Sequence, residues 1–317
     1  MPDLERRFIK TVRDTGILPP GSRVAAAVSG GSDSLAMLRM LCAFRSHMDW
    51  DLYVLHIHHG VREQSESEAE RVRATARLLD LPFVLRSLDP PGRGSLEAGL
   101  SRMRQEVYEA EGREGSLVAV GHTATDRAET LLMRMLEGAG LRGLGGMSFR
   151  GVGPVRRPML RMERGELQEY LRAQSIGWVR DQSNRDTAIL RNALRHRVFP
   201  VLEEISPGAA GRMAASAELL SGWRDFARRA TSEAVEGLRT AGGLDRRGYQ
   251  GLPRQLRLSV LWAICGRPRK GREELEKTDR WLMDGGTGSH AMPGGAVLEA
   301  ETETLSTTEA RDGSEPS

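Results

Sequence analysis

Three strings in this chain carry side chains able to do chemistry. The first is Ser29-Gly30-Gly31-Ser32-Asp33-Ser34. Glycine lets a backbone come close to a ligand. The free N–H groups of such a turn, with the positive end of a following helix, make an anion site. The string is not a Walker A loop, since no G-x-x-x-x-G-K-[ST] is present and no lysine follows. A phosphate tail bound there needs a metal or distant arginines to offset its charge, and Asp33 is a candidate Mg2+ ligand. An ordinary polar turn capped by Ser32 or Asp33 is the plainer reading.

The second string runs Gly121-His122-Thr123-Ala124-Thr125-Asp126-Arg127-Ala128-Glu129-Thr130. Asp126 and Glu129 are three apart and share one helix face. There they could hold an ammonium group, bind a metal, or simply offset the helix dipole. His122 is a hydrogen-bonded turn residue or a catalyst. The third string is the arginine-rich stretch 142–197, which carries Arg142, Arg156, Arg157, Arg191 and Arg195 and the cluster Asp181-Gln182-Ser183-Asn184. An arginine excess inside a folded region suits a polyanionic partner, or a solvated face.

The elements that must position these groups follow from the apolar pattern. Residues 24–28 are small or β-branched, as in a buried parallel strand, and Leu35, Leu38, Leu41 and Cys42 recur at helical spacing. The first string is therefore a strand-to-helix turn. Strands at 52–57, 82–88 and 117–120 alternate with helices at 65–79, 96–111 and 125–137, after an amphipathic helix at 3–15. This alternation predicts an α/β fold, a doubly wound parallel sheet whose ligands sit beyond the carboxyl ends of the strands. The Ser-Gly-Gly loop, His58-His59 and His122 stand at three such ends. A glycine-rich loop at 138–153 and a helix at 163–174 follow, with a boundary at Ser206-Pro207-Gly208. Helices at 209–240, 252–264 and 273–283 and a hairpin at 287–305, turning at Pro293-Gly294-Gly295, make a smaller, mainly helical domain. The expected division is 1–207, 208–305 and a disordered tail at 306–317.

At 317 residues, 39% hydrophobic and 28% charged, the chain can build two domains and a substantial core. Net charge is +3, with a pI near 9.1. Cys42 and Cys265 are the only cysteines and form no C-x-x-C, which excludes a disulfide framework and a cysteine-held zinc or iron–sulfur site. The charged start has no apolar signal core and no run reaches membrane-spanning length, so a cytoplasmic protein with no membrane partner is expected.

Taken in order, the motifs resemble those of the tRNA(Ile)-lysidine synthetase family of PP-loop ATP pyrophosphatases. They are SGGSDS at 29–34, HHGVR at 58–62, GHTATDRAET at 121–130, the glycine-rich 138–146, RRPML at 156–160, DQSN at 181–184 and RNALRHRVFP at 191–200. The resemblance is continuous over about residues 20–208 and looser beyond. SGGSDS alone marks the superfamily; the histidine and carboxylates of 121–130, together with D-x-S-N and R-N-x-x-R, are more specific.

The resemblance implies a PP-loop, adenine nucleotide alpha hydrolase-like fold and a two-step reaction. ATP would adenylate the C2 oxygen of the wobble cytidine in the CAU anticodon of an isoleucine tRNA, releasing pyrophosphate. The ε-amine of free L-lysine would then displace AMP, giving lysidine. By the same resemblance, residues 29–34 and His58 contact ATP, with Asp33 on Mg2+. Asp33, His122, Arg104 and Arg195 act in catalysis, and Asp126 and Glu129 grip lysine. Arg142, Arg156 and Arg157 contact the tRNA backbone, and Asp181, Asn184, Arg191, Asn192 and Arg195 lie at the anticodon nucleotide. A homodimer is compatible with this reading.

One departure stands out. The family's E-A-x-A-R-x-x-R is here Glu97-Ala98-Gly99-Leu100-Ser101-Arg102-Met103-Arg104, with serine for the first arginine and Arg102 about 100° around the helix from it. The chain is also shorter than members that carry a further C-terminal domain. A tRNA thiolase would need paired cysteines and an amidotransferase a nucleophilic one. A non-catalytic RNA-binding protein would not need Asp33, His122, Asp126 and Glu129 together.

Overall fold

Alternating helices and strands fill the first part of the chain. In order they are α1 (Asp3–Thr15), β1 (Arg23–Ala27), α2 (Ser32–Phe44), β2 (Asp51–His58), α3 (Ser65–Leu78), β3 (Phe83–Ser87), α4 (Leu96–Arg113), β4 (Leu117–Val120) and α5 (Ala124–Leu136). The short α6 (Leu141–Leu144) and β5 (Val155–Arg156) lead to α7 (Arg164–Ala173), α8 (Leu190–Ala193), a π-helical turn at Leu194–Val198, and α9 (Phe199–Ile205). This computed structural model describes residues 3–58, 65–88, 96–179, 190–266 and 271–308. Of the expected site residues, Asp181 and Asn184 lie outside the described residues, as do His59 to Arg62 and the side chain of Arg142.

The five strands pair in parallel in the order β3-β2-β1-β4-β5. β1 and β4 are flanked on both sides, and their runs Val24-Ala25-Ala26 and Val118-Ala119-Val120 are buried, as central parallel strands require. Leu4, Phe8 and Val12 of α1, nearly the whole circumference of α2, Val72 and Ala76 of α3, and Leu167 and Leu171 of α7 pack on one sheet face. Val107 and Tyr108 of α4 pack on the other, against Ala25, Tyr53, Leu55 and Val118. The expected doubly wound sheet is present. The two-residue β5 is an addition, since a strand that short leaves no readable run.

Contacts divide the chain at 222/223, inside α10 (Ala209–Gly237), rather than at the Pro207-Gly208 break. The second unit carries β6 (Arg239–Thr240), β7 (Gly243–Asp245), α11 (Arg246–Gly251), α12 (Arg254–Ile264), α13 (Arg272–Met283), β8 (Gly288–Ala291), β9 (Val297–Ala300) and β10 (Thr304–Thr308). Its strands form an antiparallel sheet in the order β6-β7-β10-β9-β8, over a core that includes Tyr249, Leu261, Leu282, Leu298 and Leu305. Residues 306–308, expected in a disordered tail, instead pair with Val297 to Glu299 in β10, because the buried Leu305 anchors a threonine-rich strand to β9. Residues 309–317 lie outside the described residues.

Candidate active site

The strand order reverses direction between β1 and β4. The chain leaves β1 through α2 on one face and reaches β4 through α4 on the other. A crevice opens at such a switch point, beyond the carboxyl ends of the two strands. The first two strings of the sequence meet there.

The Ser29–Ser34 loop is folded as a cradle. Gly30 has φ +89°, a conformation a β-carbon disfavours, and its carbonyl accepts from Val179 N–H at 3.0 Å. Ser34 Oγ accepts from Ser29 N–H at 3.2 Å and donates to Gly31 O at 3.0 Å, so the turn is closed by its own hydroxyl. Among the described residues no side chain caps α2, and its first amides lie at the end where the helix dipole favours an anion. Gly121 makes a close backbone approach to this turn: a β-carbon there would lie 3.0 Å from Ser34 N and 3.2 Å from Asp33 C.

Three carboxylates and three guanidinium groups fill the crevice. Thr123 caps α5, and Asp126 Oδ2 accepts in return from Thr123 N–H and Oγ1–H, each at 2.9 Å. Asp126 Oδ1 accepts from Arg164, Arg191 and Arg195 at 3.0, 3.2 and 3.3 Å. Glu129, one helical turn on and fully buried, accepts from Arg195 Nε at 2.7 Å and Nη2 at 2.8 Å, and from Arg191 Nε at 2.9 Å. Arg164 also donates through Nε to Asp33 Oδ2 at 2.9 Å, so one guanidinium touches both the phosphate loop and the carboxylate pair. Burial by itself would raise the Asp126 pKa. Arg164 and Arg191 outweigh it and hold this carboxyl well below the usual range. At Asp33 burial wins and the pKa is raised, with Arg164 opposing and Asp126 adding to it.

Arg191 and Arg195 reach one partner because they lie four residues apart across a widened turn. Pro200 cannot donate to the carbonyl four residues back, and the chain before it opens into the π-helical turn, with Phe199 N–H reaching Leu194 O. Single π-turns recur at functional sites.

A second corner is cationic. Arg157 Nε donates to His122 Nδ1 at 3.2 Å and Nη1 to Ser148 O at 3.0 Å. Burial, then Arg157, Arg191 and Arg104, push the His122 pKa down to about 4 against the pull of Asp126. His122 is therefore neutral at pH 7. Arg157 can only donate, so Nδ1 is the acceptor and Nε2 carries the proton. Arg104 lies within electrostatic reach of both His122 and Tyr108.

The expected residues thus separate. Ser29 to Ser34, His122, Asp126, Glu129, Arg191 and Arg195 converge, with Arg104 and Arg157 beside His122. Asn192 is buried on α8. His58 ends β2 half-buried, its carbonyl accepting from Leu88 N–H. Arg156 turns to its own chain, donating to the carbonyls of Gly153 and Val155. Arg164 was not anticipated. A cation at the first position of a helix opposes the dipole, and that misplacement in α7 was the available signal. Among the described residues no group of three His, Cys, Asp or Glu side chains could hold a metal. No helix among them is long and apolar enough to cross a membrane.

Known proteins resemble this chain over most of its length. The model of the PP-loop domain family matches residues 2–202. The tRNA(Ile)-lysidine synthase of Parasynechococcus marenigrum (strain WH8102) is 35% identical over 305 residues, covering 92% of this chain and 90% of that protein. This chain belongs to the tRNA(Ile)-lysidine synthase family. The tRNA(Ile)-lysidine synthase of Synechococcus sp. (strain ATCC 27144) is 34% identical over 265 residues, 81% of each chain. That of Geobacter sulfurreducens is 40% identical over 229 residues, and the chain spans about half of that relative's length, 48%.

Among solved structures, the U34-tRNA thiolase NcsA from Methanococcus maripaludis superposes with a TM-score of 0.59 over 69% of this chain and 78% of that one. At 17% identity that likeness is one of fold alone. The family resemblance and the α/β fold expected from the motifs are thereby borne out. Cys42, on α2, packs against the main core, where burial pushes its thiol up to about 11, and Cys265 is buried in the second unit.

Proposed function

We propose that this chain ligates free L-lysine to C2 of the wobble cytidine in the CAU anticodon of isoleucine tRNA, in the cytoplasm, with ATP converted to AMP and pyrophosphate. The observation that carries the reading is Arg164. Its guanidinium joins Asp33 at an anion-binding loop to the carboxylate pair Asp126 and Glu129, so a phosphate site and a cation site share one network. A ligase that activates with ATP and then admits an amine needs both within one crevice.

In the first step the cytidine O2 attacks the α-phosphorus, and the bond to the β-phosphate breaks. The amides of residues 29–34 receive the pyrophosphate portion. His122, neutral with its proton on Nε2, donates to the charge that develops, and Arg104 and Arg157 add fixed positive potential. His122 in this state is a donor and not a base. In the second step the lysine ε-amine forms the bond to C2 and AMP leaves. Asp126 and Glu129 hold lysine's amino groups. The two carboxylates orient the amine, and one of them takes up the proton that the ε-ammonium loses before it attacks.

Asp33, whose two carboxylate oxygens accept from Ser32 and Arg164, would hold Mg2+ in the mode that uses one carboxylate and leaves the other positions to phosphate oxygens and water. The ion would supply charge neutralisation on the triphosphate. Arg142, Arg156, Arg157, Arg191, Asn192, Arg195 and the residues around 181–184 are assigned to the tRNA, where guanidinium contacts to phosphate set position.

The test incubates the protein with ATP, Mg2+, labelled lysine and isoleucine tRNA bearing CAU, with methionine tRNA as control. Label in the first tRNA alone, with one AMP released per lysine, is the expected result. ATP-dependent adenylation without lysine transfer would keep the activation step and refute lysine as second substrate.

A further inference from the structure

The acceptor count of the carboxylate pair has a consequence for the order in which substrates bind. Asp126 Oδ2 is filled by the two donors of Thr123, and Oδ1 faces three guanidinium nitrogens. Glu129 Oε1 accepts from Arg195, and Oε2 accepts from both Arg191 and Arg195. An ammonium group brings three donors and no acceptor. Among the described residues the one unfilled carboxylate lone pair of the two groups, on Glu129 Oε1, has Arg164 Nη1 3.8 Å away, so the ammonium can enter only where a guanidinium gives way.

A guanidinium that left for water would strand Glu129, which is fully buried. One that left for a phosphate would exchange one charge-assisted hydrogen bond for another. The phosphate loop is also wired to the pair, because Arg164 Nε is on Asp33 at 2.9 Å and Nη2 on Asp126 at 3.0 Å. The three arginines are the least buried members of the cluster, with side chains 20–31% exposed, so they are the ones able to move.

We propose that the anionic nucleotide binds first, and that Arg164 is the positioning residue through which its binding opens Asp126 and Glu129 to lysine. Phosphate at the loop draws the Arg164 guanidinium off Asp126, and Arg191 and Arg195 follow toward the new anion. The vacated carboxylate oxygens then accept the amine. The proposal rests on the reading of Asp126 and Glu129 as lysine's partners.

Calorimetric titration of L-lysine into the full chain tests it, with and without saturating α,β-methylene ATP and Mg2+. Lysine should bind at least about tenfold more tightly with the nucleotide present, and the nucleotide should gain the same factor from lysine. In Arg164→Gln that factor should fall close to one. Loss of folded protein lowers the number of sites but leaves this ratio unchanged, so the ratio separates positioning from a structural role. Equal lysine affinity in both states overturns the order and leaves the lysine site standing. No lysine binding in either state overturns the site as well. A factor that persists in Arg164→Gln overturns the part given to Arg164.

Discussion

Replacing Glu129 by Gln is the sharpest probe of the crevice. The side chain keeps its shape, so no cavity opens, but the charge goes and one oxygen becomes an NH2 facing guanidinium donors. Breaking one side of a buried ion pair costs about 3–5 kcal/mol. Here Arg191 and Arg195 keep 31% and 20% of their side-chain exposure and still have Asp126 at 3.2 and 3.3 Å. The cost therefore falls at or just below that range, about 2–3 kcal/mol. Urea unfolding of the first unit at pH 7, followed by far-UV circular dichroism, should show this loss. Arg195→Gln alone and the double substitution complete a cycle, with a coupling of about 1–2 kcal/mol expected for groups in contact. The KM for lysine should rise while nucleotide affinity is retained. A loss below about 1 kcal/mol with additive singles would refute the buried network as a coupled unit.

Three further outcomes are expected. Gly121→Ala should weaken nucleotide binding, because its new methyl group would press on backbone atoms of Asp33 and Ser34 at 3.0–3.2 Å; unchanged nucleotide affinity would contradict the close approach. His122 has its pKa lowered from 6.5 to about 4, so the folded state binds fewer protons than the unfolded one between those values and stability rises with pH across that window. The difference between wild type and His122→Gln should follow that slope, on the order of 2–3 kcal/mol in total, in urea titrations from pH 4 to 7. Affinity for tRNA should fall steeply, by about tenfold or more, between 50 and 200 mM salt in fluorescence anisotropy, and a flat profile would remove the phosphate contacts assigned to arginine.

Much of the fold was legible because its signals are local. The apolar runs of β1, β2 and β4 and the helical spacing of α1 to α5 lie at nearly the expected residues. Less was readable where pairing is long-range. β5 is two residues long, and only β4, some 37 residues back in the chain, makes it a strand; β10 is rich in threonine and takes its place from the buried Leu305 and its hairpin partner β9. The glycine-rich stretch after α5 hides the short α6, too brief for a period to register.

The site divides along the same line. Residue order and type determined the anion loop, the two carboxylates on one helical turn and the histidine after a buried strand, because each depends on neighbours within a few positions. Folding decided the pairing. Arg164, Arg191 and Arg195 lie 38, 65 and 69 residues from Asp126 in the chain, and no local rule brings them to it. The switch point between β1 and β4 joins the loop to the carboxylates, and the turn before Pro200 aims two arginines at one of them. Whether a carboxylate is a bare dipole partner or part of a closed charge network depends on what the fold buries beside it. Burial and long-range charge are properties of the packed chain.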